Sequence, residues 1–327
     1  MQRWSSGDTP LDTWQRLGKL ISNNMVFIVP ACLALGILVP QVFVPMKPAV
    51  SAMFAFISFQ GALGNNLKNI RHTFAHPLPM FASITISQLL IPVLAFLFGS
   101  LFFGGSKDIL TGIVLEYSVP IAVTSTMWVG IYEGNMAQCM GTLLISSLIS
   151  PFTIPATLSV LMGAVVHVDA LSMVMDMLFM VAIPAVLGTL LNDRTHGRAK
   201  TQVSPVLAPA ARILTILVIT INSTSLSGFM RNLTPELFGV IGFIAVFASS
   251  GYLWGYLAAM LMRLGRDDAV TVTFCTALRN IAAGAIIAQA YFAPAAVFPV
   301  MTGTLFNQFL AAIFGRLLFQ RQEGADA

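Results

Sequence analysis

Two short stretches hold most of the side chains able to do chemistry in an otherwise apolar sequence. The first reads Leu115-Glu116-Tyr117-Ser118-Val119-Pro120-Ile121-Ala122-Val123-Thr124-Ser125-Thr126-Met127-Trp128. Proline removes a backbone donor and crowds the preceding turn, so carbonyls are freed; the hydroxyls of Thr124, Ser125 and Thr126 can bond those carbonyls or a ligand. The same pattern also reads as a plain proline kink repaired by hydroxyls. The second stretch is Cys275-Thr276-Ala277-Leu278-Arg279-Asn280, whose Arg-Asn pair sits about halfway along Thr271 to Tyr291. An arginine at bilayer depth costs at least about 2.5 kcal/mol on insertion scales, so it normally faces a partner or a water-filled cavity. Glu116 can pair with it and lock two helices together, or its fork of donors can take a carboxylate or phosphate. The candidate solute- or ion-binding residues are Ser125, Thr126, Arg279, Asn280, Glu116 and Thr124, together with Cys275 and Thr276 of the second stretch.

The elements that must position them follow from composition. With 57% hydrophobic and 9% charged residues, the chain has too little polar surface for water to be its main solvent. Runs of about 20 apolar residues recur almost end to end, as spanning helices require, and the alternation of an outer-membrane barrel is missing. The sequence predicts ten spans, at 25–44, 48–64, 79–103, 109–132, 136–162, 170–191, 205–230, 236–262, 269–292 and 295–319. Pro45-Met46-Lys47-Pro48, Gly104 to Asp108, Glu133-Gly134-Asn135 and Gly265 to Asp268 read as turns between them. Residues 1–24 form an N-terminal segment, 25–319 the transmembrane domain and 320–327 a tail.

Charge supplies the orientation. Thirteen of the 17 Lys and Arg residues fall on the N-terminal side, only Lys47, Lys107 and Arg231 fall on the other, and Arg279 lies inside a span. The positive-inside rule then puts both termini in the cytoplasm of an inner (plasma) membrane. The net charge of +4 is spread over short loops, not gathered on a stripe, which argues against a nucleic-acid partner. The first two dozen positions contain Arg3, Asp8, Asp12, Arg16 and Lys19 and no apolar core, unlike a cleaved signal peptide.

Pro30-Ala31-Cys32-Leu33 echoes Pro184-Ala185-Val186-Leu187 at an offset of 154, and the same offset maps Ser125-Thr126 onto Arg279-Asn280. Two five-helix repeats of opposite topology, 25–162 and 170–319, are expected from this. Cys32, Cys139 and Cys275 show no metal or disulfide spacing, and His72, His76, His167 and His196 fall at loops or span ends. P-loop, HExxH and GxSxG motifs are absent, so no enzyme and no cofactor is expected. Gln60, Gln88, Thr220, Asn222, Ser223, Thr224, Asn307 and Gln308 either line a cavity or bond between helices, and Gly251 with Gly255 suits close helix packing.

The run from Glu116 to Pro155, with its Ser-Val-Pro, Thr-Ser-Thr, Glu-Gly-Asn-Met-Ala and Ser-Pro-Phe-Thr-Ile-Pro elements, resembles helices four and five of the bile acid:sodium symporter family, and the Arg-Asn element fits helix nine. The resemblance implies an all-α membrane protein with inverted repeats, a core domain rocking against a panel domain, and broken helices four and nine crossing near the solute cavity. It also implies a first sodium site at Ser125 and Thr126. Its further ligands correspond to Cys139 and Leu143, with Thr142 adjacent; the shared acidic ligand falls at Cys275 and the second site's glutamine at Arg279. Sodium prefers hard oxygen ligands, so the Arg279 guanidinium is expected to take the place of an ion. Coupling is then to fewer sodium ions, to protons through Glu116, or absent.

The leading expectation is secondary active transport of a small organic anion by alternating access in the lipid bilayer, with Na+ as candidate coupling ion. The rival readings are an anion channel or facilitator, with Arg279 as filter, and an intramembrane sensor or enzyme. Sterol-like, keto-acid and vitamin-precursor anions are all compatible, and the direction of transport and the oligomeric state are left open.

Overall fold

The computed structural model describes residues 10–163, 169–231 and 234–320. Residues 1–9 with Arg3 and Asp8, His167, and the tail 321–327 with Arg321 lie outside the described residues. Among the described residues all regular structure is helical. In chain order the helices are α1 (Pro10–Asn23), α2 (Met25–Leu38), α3 (Pro40–Ala62), α4 (Leu67–Ala75), α5 (Pro77–Phe103), α6 (Lys107–Ser118), α7 (Ser125–Ile131), α8 (Met136–Met162), α9 (Ala170–Arg194), α10 (Ala199–Met230), α11 (Pro235–Leu261), α12 (Arg266–Ala277), α13 (Ile281–Tyr291) and α14 (Pro294–Phe319). Seven of them, α3, α5, α8, α9, α10, α11 and α14, are long and apolar enough to cross a bilayer, and the count rises to eight if the bent α1–α2 pair is one span.

The expected span 136–162 coincides with α8, and 170–191, 236–262 and 295–319 match α9, α11 and α14 to within a few residues. The N-terminal boundaries differ. The expected span 25–44 ends early, at Leu38: Val39 precedes Pro40, which disfavours helical backbone, and its φ of −126° and ψ of 54° leave the helix. Pro45-Met46-Lys47-Pro48 does not separate two helices but lies in a 3-10 turn, Val44–Ala49, within α3. Lys47 turns inward, donating from Nζ to Ser225 Oγ at 3.1 Å.

Three π turns, Ile86–Leu90, Leu178–Ala182 and Ala199–Val203, widen α5, α9 and α10. Each is followed closely by a proline, Pro92, Pro184 and Pro205. None of these prolines can donate to the carbonyl four residues back, and in each case that carbonyl, of Gln88, Met180 or Thr201, lies inside the π turn.

The described residues form two compact units. One holds those up to Leu67 with Leu178–Ser227; the other holds Lys68–Met177 and those from Gly228 onward. In the first unit α10 packs on α1, α2 and α3, and α3 packs on the second half of α9. Polar ties there join elements: Gln60 Nε2 donates to Ser204 Oγ at 3.1 Å and Asn192 Nδ2 to Asn65 O at 2.8 Å. In the second unit α11 lies against α12, while α6 lies between α5 and α14. A Cβ on Gly255 would fall 2.8 Å from Thr273 Cα, so the GxxxG face lets α11 and α12 approach closely.

Candidate functional site

Both chemically rich stretches are interrupted helices within the second unit. α6 ends at Ser118, and Val119, the residue before Pro120, is extended with φ −67° and ψ 155°. α12 ends at Ala277 without any proline, and Leu278 is extended with φ −82° and ψ 125°. Ile121 and Arg279 then meet as an isolated antiparallel bridge. Ala122 N donates to Leu278 O at 3.1 Å and Asn280 N donates to Pro120 O at 2.9 Å.

In this bridge the N–H and C=O of residues 121 and 279 point away from each other and need outside partners. Ile121 N donates to Ser146 Oγ on α8 at 3.0 Å. Gln88 Nε2, in the π turn of α5, donates to the same hydroxyl oxygen at 2.6 Å, and Thr153 Oγ1 donates to Gln88 Oε1 at 3.1 Å. On the other side Arg279 O accepts from Asn307 Nδ2 of α14 at 3.1 Å and from Ile281 N at 3.0 Å. Gln88 and Asn307 therefore act as interhelical bonds around the bridge, as Gln308 does in accepting from Trp128 Nε1 at 2.9 Å.

The helices restart in different ways. α7 has seven residues, too few to hold itself. It is held by Trp128, whose ring, with those of Tyr132 and Phe274, forms a near-parallel cluster with centroids 5.7–6.4 Å apart. The turn after α7 is tied to the start of α12: Asn135 N donates to Asp267 O at 3.1 Å and Asn135 Nδ2 to Asp268 Oδ1 at 3.0 Å. α13 is capped from within, since Asn280 Oδ1 accepts from Ala283 N at 3.4 Å.

Arg279 and Glu116 are each 3% exposed. Among the described residues Arg279 Nε and Nη1 have no hydrogen-bond partner, and neither does Glu116 Oε2. The two charges are electrostatic neighbours, yet no hydrogen bond joins them. The carboxyl of Glu116 fills the space that a Cβ on Gly303 would occupy, so α14 is bare where the acid packs.

The remaining candidates separate. Ser125 is fully buried, and its Oγ reaches Phe274 O at only 3.5 Å. Thr126 is half-buried and donates to Val123 O at 2.8 Å, while Thr124 is exposed. Cys275 Sγ lies 3.7 Å from Cys139 Sγ, with both thiols free and buried. Thr276 packs its Cβ toward Gly255 of α11, and its Oγ1 has no partner; Thr142 Oγ1 on α8 also has none. Among the described residues no group of three or more His, Cys, Asp or Glu side chains gathers as a metal cluster would. Ser146 and Gly303 were not legible as part of this arrangement. Ser146 is one of several serines in α8, and Gly303 matters only because of what Glu116 does across from it.

A sequence model of the Sodium Bile acid symporter family matches residues 51–230, a stretch that includes the first break. YbaS of Bacillus subtilis strain 168, described as uncharacterized, is 33% identical over 294 residues, 90% of this chain and 96% of that protein. YocS of the same organism, described as an uncharacterized sodium-dependent transporter, is 20% identical over 299 residues, 90% of this chain and 91% of its own length. The probable chloroplastic sodium/metabolite cotransporter BASS1 of Arabidopsis thaliana is 23% identical over 323 residues, 94% of this chain and 78% of that protein. With over half its length matched and a relative one-third identical along nine-tenths of it, the chain belongs to the sodium bile acid symporter family and is a multi-pass membrane transporter.

Proposed function

We propose that this transporter carries a small organic anion by alternating access and recognises it at Arg279. The observation that carries the reading is a buried guanidinium whose Nε and Nη1 have no partner, beside the bridge that joins two helix breaks. A permanent cation with unmet donors fits a carboxylate or a similar oxyanion. Arg279 directly precedes the cap of α13, whose N-terminus carries partial positive charge.

The reading counts ten crossings, taking α2, the α6–α7 pair and the α12–α13 pair as spans beyond the seven long helices. In each half of the chain the first two crossings belong to the unit containing Leu178–Ser227 and the next three to the other. Inverted five-helix repeats would produce that same division twice, which supports the reading. Two of the three unit boundaries fall at the π turn Leu178–Ala182 and beside the 3-10 turn Thr224–Leu226, irregular places where a helix yields most readily; the third lies at the start of α4. The distribution of basic residues favours both termini in the cytoplasm of the inner membrane.

Sodium is the coupling ion suggested by the names of two relatives, at a site using Ser125 and Thr126 and extended by the unpartnered Thr142 hydroxyl. A second sodium is disfavoured, because a thiol at Cys275 and a fixed cation at Arg279 replace hard oxygen donors there. Coupling then uses fewer sodium ions, protons through Glu116, or neither.

Uptake of a panel of organic anions into proteoliposomes, with and without a sodium gradient, tests this. Arg279→Ala is expected to weaken apparent affinity roughly 30-fold or more for every anion carried. Unchanged affinity sinks the recognition role, and a stoichiometry of two sodium ions sinks the altered site. Saturable counterflow separates a carrier from a channel.

A further inference from the structure

We infer that α1 lies in the headgroup plane of the membrane and, together with the start of α10, forms a ledge that binds anionic phospholipid. The segments Thr13–Ser22 and Phe27–Leu38 are bent by 83° from one another, so both cannot follow the bilayer normal. α2 carries no charged residue, whereas α1 includes Asp12, Arg16 and Lys19. The apolar helix takes the hydrocarbon, and the mixed one is left at the interface.

The inner face of α1 is already used. Trp14 Nε1 donates to Val206 O at 2.8 Å, Gly18 is buried and seats the helix against Pro209, and Ile21 is 8% exposed. Its outer face presents Leu17 and Leu20, 40% and 64% exposed and three residues apart, hence on one side of the helix. Phe27, at the start of α2, is 77% exposed and extends the apolar surface into the bilayer. Lys19 is exposed on the flank of the same helix, and Arg198 and Lys200 are exposed where α10 begins, a few residues from the Val206 carbonyl on which Trp14 docks. The nearby acid Asp193 accepts from Leu67 N at 3.2 Å.

Apolar side chains flanked by exposed cations match one kind of occupant: acyl chains below and phosphate-bearing anionic headgroups alongside, with the lysine stems reaching up along the apolar surface. A protein partner would find the leucines without a groove to enter. A neutral lipid would leave the cations unanswered.

The test places a bimane on Leu20→Cys in the full chain, which labels selectively because Cys32, Cys139 and Cys275 are buried. In nanodiscs, dibrominated lipid is expected to quench the probe and aqueous iodide to leave it nearly untouched. Dibrominated phosphatidylglycerol should quench more than equimolar dibrominated phosphatidylcholine. That preference should fall about fivefold for each charge removed in Lys19→Gln and Lys200→Gln. Iodide quenching equal to that of free bimane overturns the in-plane placement, and equal quenching by the two lipids in the unsubstituted background overturns the anionic preference. Leu17→Cys, on the same face, gives an independent reading if the first variant folds poorly.

Discussion

The two helix breaks reach the same bridge from different sequences. The first, between α6 and α7, leaves residues 119–124 outside helix; it contains Pro120 and ends on Thr124, the first of three consecutive hydroxyl residues. The second, between α12 and α13, leaves only residues 278–280 outside and contains no proline. The shorter break is largely self-contained, since Asn280 caps α13 and Arg279 O is met by Ile281 N as well as by Asn307. The longer one leans on α8, because the acceptor for Ile121 N is a single hydroxyl, Ser146 Oγ. A proline can open a helix, but neighbouring polar groups decide whether the opened backbone is held.

The largest effect should come from crowding the acid that precedes the first break. Gly303→Leu drives a branched side chain into the space of the Glu116 carboxyl, and overpacking of this kind costs about 3 kcal/mol. The midpoint of SDS-induced unfolding in detergent would record the loss, and a variant as stable as the parent would show that Glu116 is free to move aside. Next comes Ser146→Ala, which strands the Ile121 N–H and removes the shorter bond of Gln88 Nε2. A buried donor left unmet costs about 2 kcal/mol. Asn307→Ala should cost less, because Arg279 O keeps its bond from Ile281 N. If Asn307→Ala proved the more damaging, the contrast between a leaning break and a self-contained one would be wrong.

A proline followed by hydroxyls pointed to the first break, with a plain kink left open; an arginine at depth marked the second stretch as needing a partner or cavity, and its break was implied by the family resemblance. It could not show how they are joined. The bridge is made of backbone atoms of Pro120, Ala122, Leu278 and Asn280, whose side chains carry no signal for pairing. Its outer partner Ser146 is indistinguishable by type from Ser147 and Ser150, which bond only to carbonyls of their own helix. Pro45 and Pro48 misled for the opposite reason. They carry a strong turn signal, and a 3-10 turn does form at Val44–Ala49, yet α3 runs on through it.

Asn280→Ala comes third. Losing the side-chain acceptor for Ala283 N at the head of α13 should cost about 1 kcal/mol, as N-cap deletions do. Asn280→Asp, which keeps an acceptor at that position, should recover most of the stability in the same unfolding assay. Failure of that rescue would mean that the cap contributes little and that the second break depends on its neighbours as the first does.

The smallest effect is the most telling. If Pro120 itself maintained the first break, Pro120→Ala would let α6 run on toward α7, and the bridge to Arg279 would have to be surrendered. The bonds shown here argue otherwise: Pro120 contributes its carbonyl, which alanine also has, to Asn280 N, and the neighbouring Ile121 and Ala122 N–H groups are both engaged outside their own helix. Rejoining the helix would break all three contacts. The expected cost of Pro120→Ala is therefore only the extra freedom of the unfolded chain, about 0.5 kcal/mol, with apparent anion affinity unchanged. Ser146→Ala, four times as costly by this account, should loosen the same break while its proline remains. The reverse order, with Pro120→Ala abolishing transport and Ser146→Ala tolerated, would make the proline the device that holds the crossing and the hydroxyl incidental to it.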